Sequence, residues 1–123
     1  MIIKRESVIF TEPFEGLERR VLAYNDKIML VEHVMSEGSI FPLHSHPHEQ
    51  LAYLLKGRLK VICDNKEYFV EEGNSFTVPG GVEHQVFALE ESIALDFFAP
   101  VREDYVDEVK AAEESLKHAE LKG

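Results

Sequence analysis

Over roughly the first 100 positions, apolar and polar residues alternate in short runs, broken about every eight to twelve residues by Gly, Pro, Asn or Asp. Side chains two apart share one face of a strand, so this pattern predicts half-buried β-strands. Residues 2–10 read as a loose β segment and 11–19 as a loop carrying Pro13 and Gly16. Segments 21–24 and 28–35 flank Asn25-Asp26-Lys27, a hairpin turn. Glu37-Gly38 precedes a strand over 40–46, and the run 50–55 ends at Gly57. Further strands cover 58–63, 67–70, 75–78, 84–89 and 92–99, with turns at Asp64-Asn65, Glu71 to Asn74, Pro79-Gly80-Gly81 and Glu90-Glu91. Strands this dense predict an all-β sandwich or barrel and exclude a βαβ sheet.

The period changes after residue 100. From Glu103 Gly and Pro vanish until the terminus, and Tyr105, Val109, Ala112, Leu116 and Ala119 recur as one helical stripe. Glu103, Asp104, Asp107 and Glu108 open this segment and Lys117 and His118 close it, matching the helix dipole. The expectation is a single domain over 1–123: a β barrel over about 1–100 and a helix over about 103–121 packed outside it. A dimer contact is the other use of that stripe.

A chain of 123 residues buries about two-thirds of its unfolded surface, enough for a core without staples. The net charge of −10 argues against nucleic acid and anionic membranes as partners. Cys63 is the single cysteine, so there is no internal disulfide; its strand-like setting reads as a small buried residue. No apolar run approaches the ~20 residues of a membrane span. The start, Met-Ile-Ile-Lys-Arg-Glu-Ser, lacks the apolar core of a signal peptide, so a cytoplasmic location is expected.

Chemistry concentrates in Gly38 to Gly57, which holds His44, His46, His48 and the carboxamide of Gln50. Two imidazoles on one strand face chelate a metal without distorting the backbone, and His84 adds a donor from a second segment punctuated in the same way. A lone His-x-His pair reads as readily as two exposed loop residues. Two wider patterns change that balance. In the first, Gly38 is followed at fixed spacings by His44, His46, position 50 and Gly57; in the second, Gly73 is followed by Pro79, Gly81, His84 and position 88. Together they resemble the two signature motifs of the cupin family, with eight of the ten marked positions in agreement.

The resemblance implies a jelly-roll β-barrel and a metal site built from His44, His46, Gln50 and His84. It also implies a homodimer as the assembly. Position 88 is Ala where the family pattern has Asn, which is not a ligand; position 50 is Gln where most cupins have Glu. A neutral shell of three His and one Gln lacks the carboxylate of the two-His-one-carboxylate iron oxygenases and favours Lewis-acid chemistry. Zn, Ni, Mn, Co and Fe all suit such donors, so the cofactor is one divalent transition metal ion of open identity. Glu49 is an alternative ligand if Pro47 twists the chain, and His48 has the parity to approach the site. His33 and His118 read as surface residues.

The run His-Ser-His-Pro-His-Glu-Gln and the run Ala-Leu-Asp-Phe-Phe-Ala-Pro-Val-Arg-Glu-Asp-Tyr resemble the small pectin-degradation cupins that ketonise unsaturated uronates. That likeness implies catalytic roles for Asp96, Phe98 and Arg102. Asp96 and Phe98 share a strand face, either inward or with Ile93, Leu95 and Phe97 filling the barrel instead. Arg102 is either a surface cation at a helix start or a bidentate clamp for a sugar carboxylate. The implied activity is metal-dependent conversion of 4,5-unsaturated uronate monosaccharides, small anionic sugar acids, to the linear 5-keto form in pectin or alginate breakdown. A cupin dioxygenase, another isomerase and a non-enzymatic sugar-acid-binding cupin remain as alternatives.

Overall fold

Among the described residues, 1–122 of a computed structural model, the alternating runs form ten strands and the late stripe forms one long α-helix. The strands are β1 Phe10–Phe14, β2 Leu17–Tyr24, β3 Met29–Met35, β4 Ile40–His44 and β5 Glu49–Lys56. They continue with β6 Arg58–Cys63, β7 Lys66–Glu71, β8 Ser75–Val78, β9 His84–Ala88 and β10 Ser92–Ala99; helix α1 is Glu103–Lys122. A six-stranded sheet runs β1-β2-β3-β10-β5-β8 and a four-stranded sheet runs β4-β9-β6-β7, with antiparallel pairings throughout. The all-β class with a helix outside is the architecture found.

The expected loop over 11–19 is instead two strands with a tight turn. Pro13 lies in β1, an edge strand of the large sheet, where a missing N–H breaks no interior ladder. Gly16 makes the turn with its N–H donating to the Glu12 carboxylate (3.1 Å). The start of the chain is a short 3-10 turn, Arg5–Ser7, where a loose β segment is expected. Arg5 donates from there to Glu32 at 2.9 Å. At the β6–β7 hairpin, Asp64 and Asn65 both have positive φ (52° and 62°), the primed-turn geometry that matches strand twist.

Alternation along the strands puts one face of each sheet into a shared core. Leu17, Met35, Leu54 and Ala94 of the large sheet meet Leu59, Val61, Val70 and Ala88 of the small one. Complete burial of a side chain such as Leu54 stabilises by roughly 1.5–3 kcal/mol. The half-buried Cys63 packs against this cluster, and burial raises its thiol above the ordinary range. A second cluster, Val21, Met29, Val31, Phe98 and Tyr105, closes the end against which α1 docks. Only the first half of the helical stripe is used: Tyr105 is buried and Val109 half-buried, whereas Leu116 is 53% exposed. Gly57 carries the chain from β5 in the large sheet to β6 in the small one with φ +98°, and a Cβ there would overlap Ser92 and the Glu91 carbonyl.

Candidate metal centre

His44 ends β4 and His84 begins β9, and the two pair directly across the small sheet, with ring centroids 4.1 Å apart. His46 lies beyond the end of β4, in the loop before β5, so strand parity does not aim it. A loop-to-loop contact does. Its carbonyl accepts from the Gly81 N–H (2.8 Å), and Gly80 lies so close to the Pro47 carbonyl that a Cβ would collide with it. The glycines after Pro79 thus press the second loop against the first. The result brings ligand atoms of His44, His46 and His84 within 4.8 Å of one another.

Each of the three rings turns Nδ1 to a backbone carbonyl, which fixes the tautomers of His44 and His84. Nδ1 of His44 faces the Pro42 carbonyl (2.7 Å), that of His46 the His48 carbonyl (3.0 Å) and that of His84 the Val82 carbonyl (2.9 Å). A carbonyl only accepts, so Nδ1 of His44 and of His84 carries the proton and Nε2 keeps its lone pair. His46 also has the Gln50 Oε1 acceptor 3.0 Å from Nε2 and can carry its proton on either nitrogen. Burial lowers all three proton affinities, taking His44 to about 4 with further help from His84, His46 and Arg102. The rings are neutral near pH 7, the form that ligates metal.

Gln50 completes the set from the start of β5. Its Nε2 donates to Asp96 Oδ1 (2.9 Å), which turns its Oε1 toward His46 Nε2 at 3.0 Å. With the His46 proton on Nδ1 both facing atoms are acceptors, an arrangement that a cation between them would relieve. Three neutral imidazole nitrogens and one carboxamide oxygen fit a first-row divalent ion. The adjoining cavity, about 40 Å³, is lined by His44, Gln50, His84, Asp96, Phe98 and Tyr105 among others. That is room for a few water-sized groups. Glu49 is exposed and stands outside the cluster; His48 is half-buried and contributes its carbonyl to His46.

Asp96 and Phe98 point inward, 6% and 2% exposed, while Ile93, Leu95 and Phe97 lie on the outer face. Phe98 packs edge-on against His46, with ring centroids 5.7 Å apart. Arg102 is buried (6% exposed), contrary to a surface cation. Nor is it free to clamp with two nitrogens, because Nε and Nη2 bind the Asp104 carboxylate at 3.0 and 2.8 Å. That hydrogen bonding holds Asp104 below the usual carboxylate range. Only Nη1 of Arg102 is buried without a partner.

His33 is the main correction to the sequence reading. It is 4% exposed rather than on the surface, and its Nδ1 lies 2.7 Å from Asp96 Oδ2. Met29, Val31 and Met35 share its face of β3 and are all buried, so alternation itself places His33 inside. Arg19, absent from the sequence expectations, donates from Nε to His33 Nε2 (3.0 Å). His118 is exposed, as expected. Among the described residues no helix is long and apolar enough to cross a membrane.

Known proteins give this geometry a context. A family model for the cupin domain matches residues 31–99. The pectin degradation protein KdgF of Dickeya dadantii (strain 3937) is 29% identical over 94 residues, covering 75% of this chain and 86% of that protein. Among solved structures, KdgF from Halomonas sp. aligns with a TM-score of 0.80 at 24% identity, covering 85% of this chain and 99% of that one. An RmlC-like cupin from Shewanella frigidimarina NCIMB 400 aligns with a TM-score of 0.79 at 30% identity, over 83% of this chain and 92% of that one. The family match covers more than half of the sequence and includes all three clustered histidines with Gln50 and Asp96, and the chain belongs to the cupin family.

Proposed function

We propose that this cupin holds one divalent transition metal ion on His44, His46, Gln50 and His84 and converts 4,5-unsaturated uronate monosaccharides to the linear 5-keto form. Similarity to a pectin degradation protein supports the substrate class. The observation that carries the reading is the buried Asp96 carboxylate, 2.9 Å from the Gln50 amide and in the same cavity as His44 and His84. A bound ion would supply positive charge that stabilises the oxygen becoming negative as the ring opens.

The chain's own residues do the rest. The reaction is an isomerisation: the anomeric hydroxyl loses its proton, the bond from C1 to the ring oxygen breaks, and the enol so formed is protonated at C4. Asp96 is the group that moves this proton, because its carboxylate shares the cavity with the ion's donors and hydrogen-bonds to Gln50. Phe98 gives the sugar an apolar wall. Arg102 would meet the sugar carboxylate through Nη1, the buried nitrogen that Asp104 leaves unpaired, once the side chain turns to expose it. A sugar ring is larger than the 40 Å³ cavity, so it lies across the half-buried side presented by His44 and Gln50.

The reading includes a homodimer through the outer face of the large sheet. Leu51, Tyr53, Leu55 and Phe97 are 55%, 40%, 44% and 41% exposed there, an apolar patch of the kind that marks protein contacts. The test of the activity is loss of the ultraviolet absorbance of an unsaturated galacturonate in the presence of the metal-loaded protein. Asp96→Asn should abolish that loss while metal content stays the same. Binding of the sugar without conversion by the wild-type protein would replace the enzyme by a sugar-acid-binding module.

A further inference from the structure

A file of polar groups, buried at Arg19, His33 and Asp96, runs from the helix to the candidate metal centre. Glu108 Oε2 accepts from Arg19 Nη1 (2.9 Å), Arg19 Nε donates to His33 Nε2 (3.0 Å), and His33 Nδ1 meets Asp96 Oδ2 (2.7 Å). Asp96 Oδ1 in turn accepts from Gln50 (2.9 Å). The strand registers build it: Arg19 pairs directly with His33 across β2 and β3, and Asp96 pairs with Val31, two positions from His33. From this we infer that Arg19 and His33 are positioning residues that hold Asp96 as a carboxylate hydrogen-bonded on both oxygens, with its remaining lone pairs turned to the cavity. The inference rests on the catalytic role given to Asp96 above.

The direction of each bond follows from donor chemistry. A guanidinium only donates, so His33 Nε2 is an acceptor and carries no proton. The ring proton is then on Nδ1, and His33 is a neutral donor to Asp96. A proton on Nε2 would face the Arg19 N–H, so Arg19 keeps that nitrogen bare and the ring in one tautomer. Asp96 therefore keeps a fixed orientation, which a proton acceptor needs. Tyr105 stacks over the Arg19 guanidinium at 3.7 Å and holds it in plane, and Glu108 balances its charge.

The fold alone gives no reason for this file. Arg19, His33 and Asp96 are 4%, 4% and 6% exposed, among the apolar Val31, Met35 and Ala94. Apolar side chains of similar volume would pack there without desolvating charge.

Nitrogen-15 NMR of the imidazoles in the metal-free wild-type protein reads the tautomer without any turnover. Nδ1–H with a bare Nε2 at His33 is the expected result, and the Nε2–H tautomer would overturn the inference. In Arg19→Met the same measurement should show Nε2–H appearing. With metal-loaded protein and unsaturated galacturonate, His33→Phe keeps the volume but removes the donor. It should lower kcat by about 10- to 100-fold with KM within about twofold and metal content unchanged. His33→Asn returns a donor at the Nδ1 position and should recover most of that loss. Equal kcat in His33→Phe and wild type, or no recovery in His33→Asn, would overturn the positioning role. A wild-type protein inactive on the uronate would instead remove the proposed reaction, and the tautomer would still decide how Asp96 is held.

Discussion

Gln50 Oε1 and His46 Nε2 face each other across 3.0 Å. With the amide N–H of Gln50 committed to Asp96, the one proton able to bridge them is the His46 ring proton, which the His48 carbonyl accepts equally well at Nδ1. With that proton on Nδ1 the two lone pairs oppose each other, and a divalent ion held by these residues would replace the repulsion with coordination. One ion per chain should therefore bind in calorimetry after chelator treatment. An ion present at 100 times its Kd should stabilise the fold by about 2.7 kcal/mol. His84→Ala should weaken binding by more than the ~10- to 100-fold typical of losing an outer hydrogen-bond partner. Binding unchanged in that variant would place the ion elsewhere.

Replacing the carboxamide by a carboxylate separates the two duties of position 50. Gln50→Glu supplies negative charge to an ion but sets a second carboxylate against Asp96 where an N–H now donates at 2.9 Å. The metal-free variant should lose about 1–3 kcal/mol in urea denaturation, because a donor has become a like charge. Its affinity for a divalent ion should rise, so the gap in Tm between metal-free and metal-loaded forms widens. A variant as stable as wild type without metal would show that Asp96 does not depend on the amide.

Strand alternation and the spacing of His44, His46, Gln50 and His84 carry most of the fold and the donor set, because both rest on local geometry. Most of what escaped the sequence depends on partners far apart in the chain. Arg19 lies 14 residues from His33, and His33 lies 63 from Asp96, so their contacts exist only once β2, β3 and β10 pair. His33 nonetheless left a signal in the apolar face it shares with Met29, Val31 and Met35. Arg19 was hidden because Pro13 and Gly16 suggest a loop where an edge strand and a turn form. The bond between Arg102 and Asp104 depends on side-chain direction at the helix start, which residue pattern does not resolve.

Gly57 combines a left-handed backbone (φ +98°) with close approach to Ser92. Gly57→Ala places a methyl group against Ser92 and the Glu91 carbonyl, where backbone as well as side chain must move. Strain and overpacking together should cost roughly 2–4 kcal/mol, measured from the urea midpoint. A loss below about 0.5 kcal/mol would mean that the crossing between the sheets adapts freely.

On the outer face of the large sheet Leu51 pairs with Phe97 and Tyr53 with Leu95, so one charge introduced there meets several apolar neighbours. Leu51→Glu should convert a dimer to a monomer in sedimentation velocity while the β circular-dichroism signal persists. A wild-type protein that sediments as a monomer at the same concentration would remove this interface.

Tyr105 stacks between the guanidinium groups of Arg19 (3.7 Å) and Arg102 (4.0 Å) and is only 4% exposed. Burial pushes its phenol up to about 12, outweighing the downward pull of the two arginines. Because the folded value lies above the unfolded value of about 10, the neutral hydroxyl stabilises the fold fully below pH 10, and this contribution fades as pH rises towards 12. The whole effect is roughly 2–3 kcal/mol, and about 1.4 kcal/mol of it is lost by pH 11. Tyr105→Phe keeps an aromatic face for both arginines and has no proton to release. Relative to pH 8, the variant should therefore gain about 1.4 kcal/mol over wild type at pH 11 in urea denaturation. Parallel pH profiles for the two proteins would show that the phenol ionises as readily in the folded state as in the unfolded one.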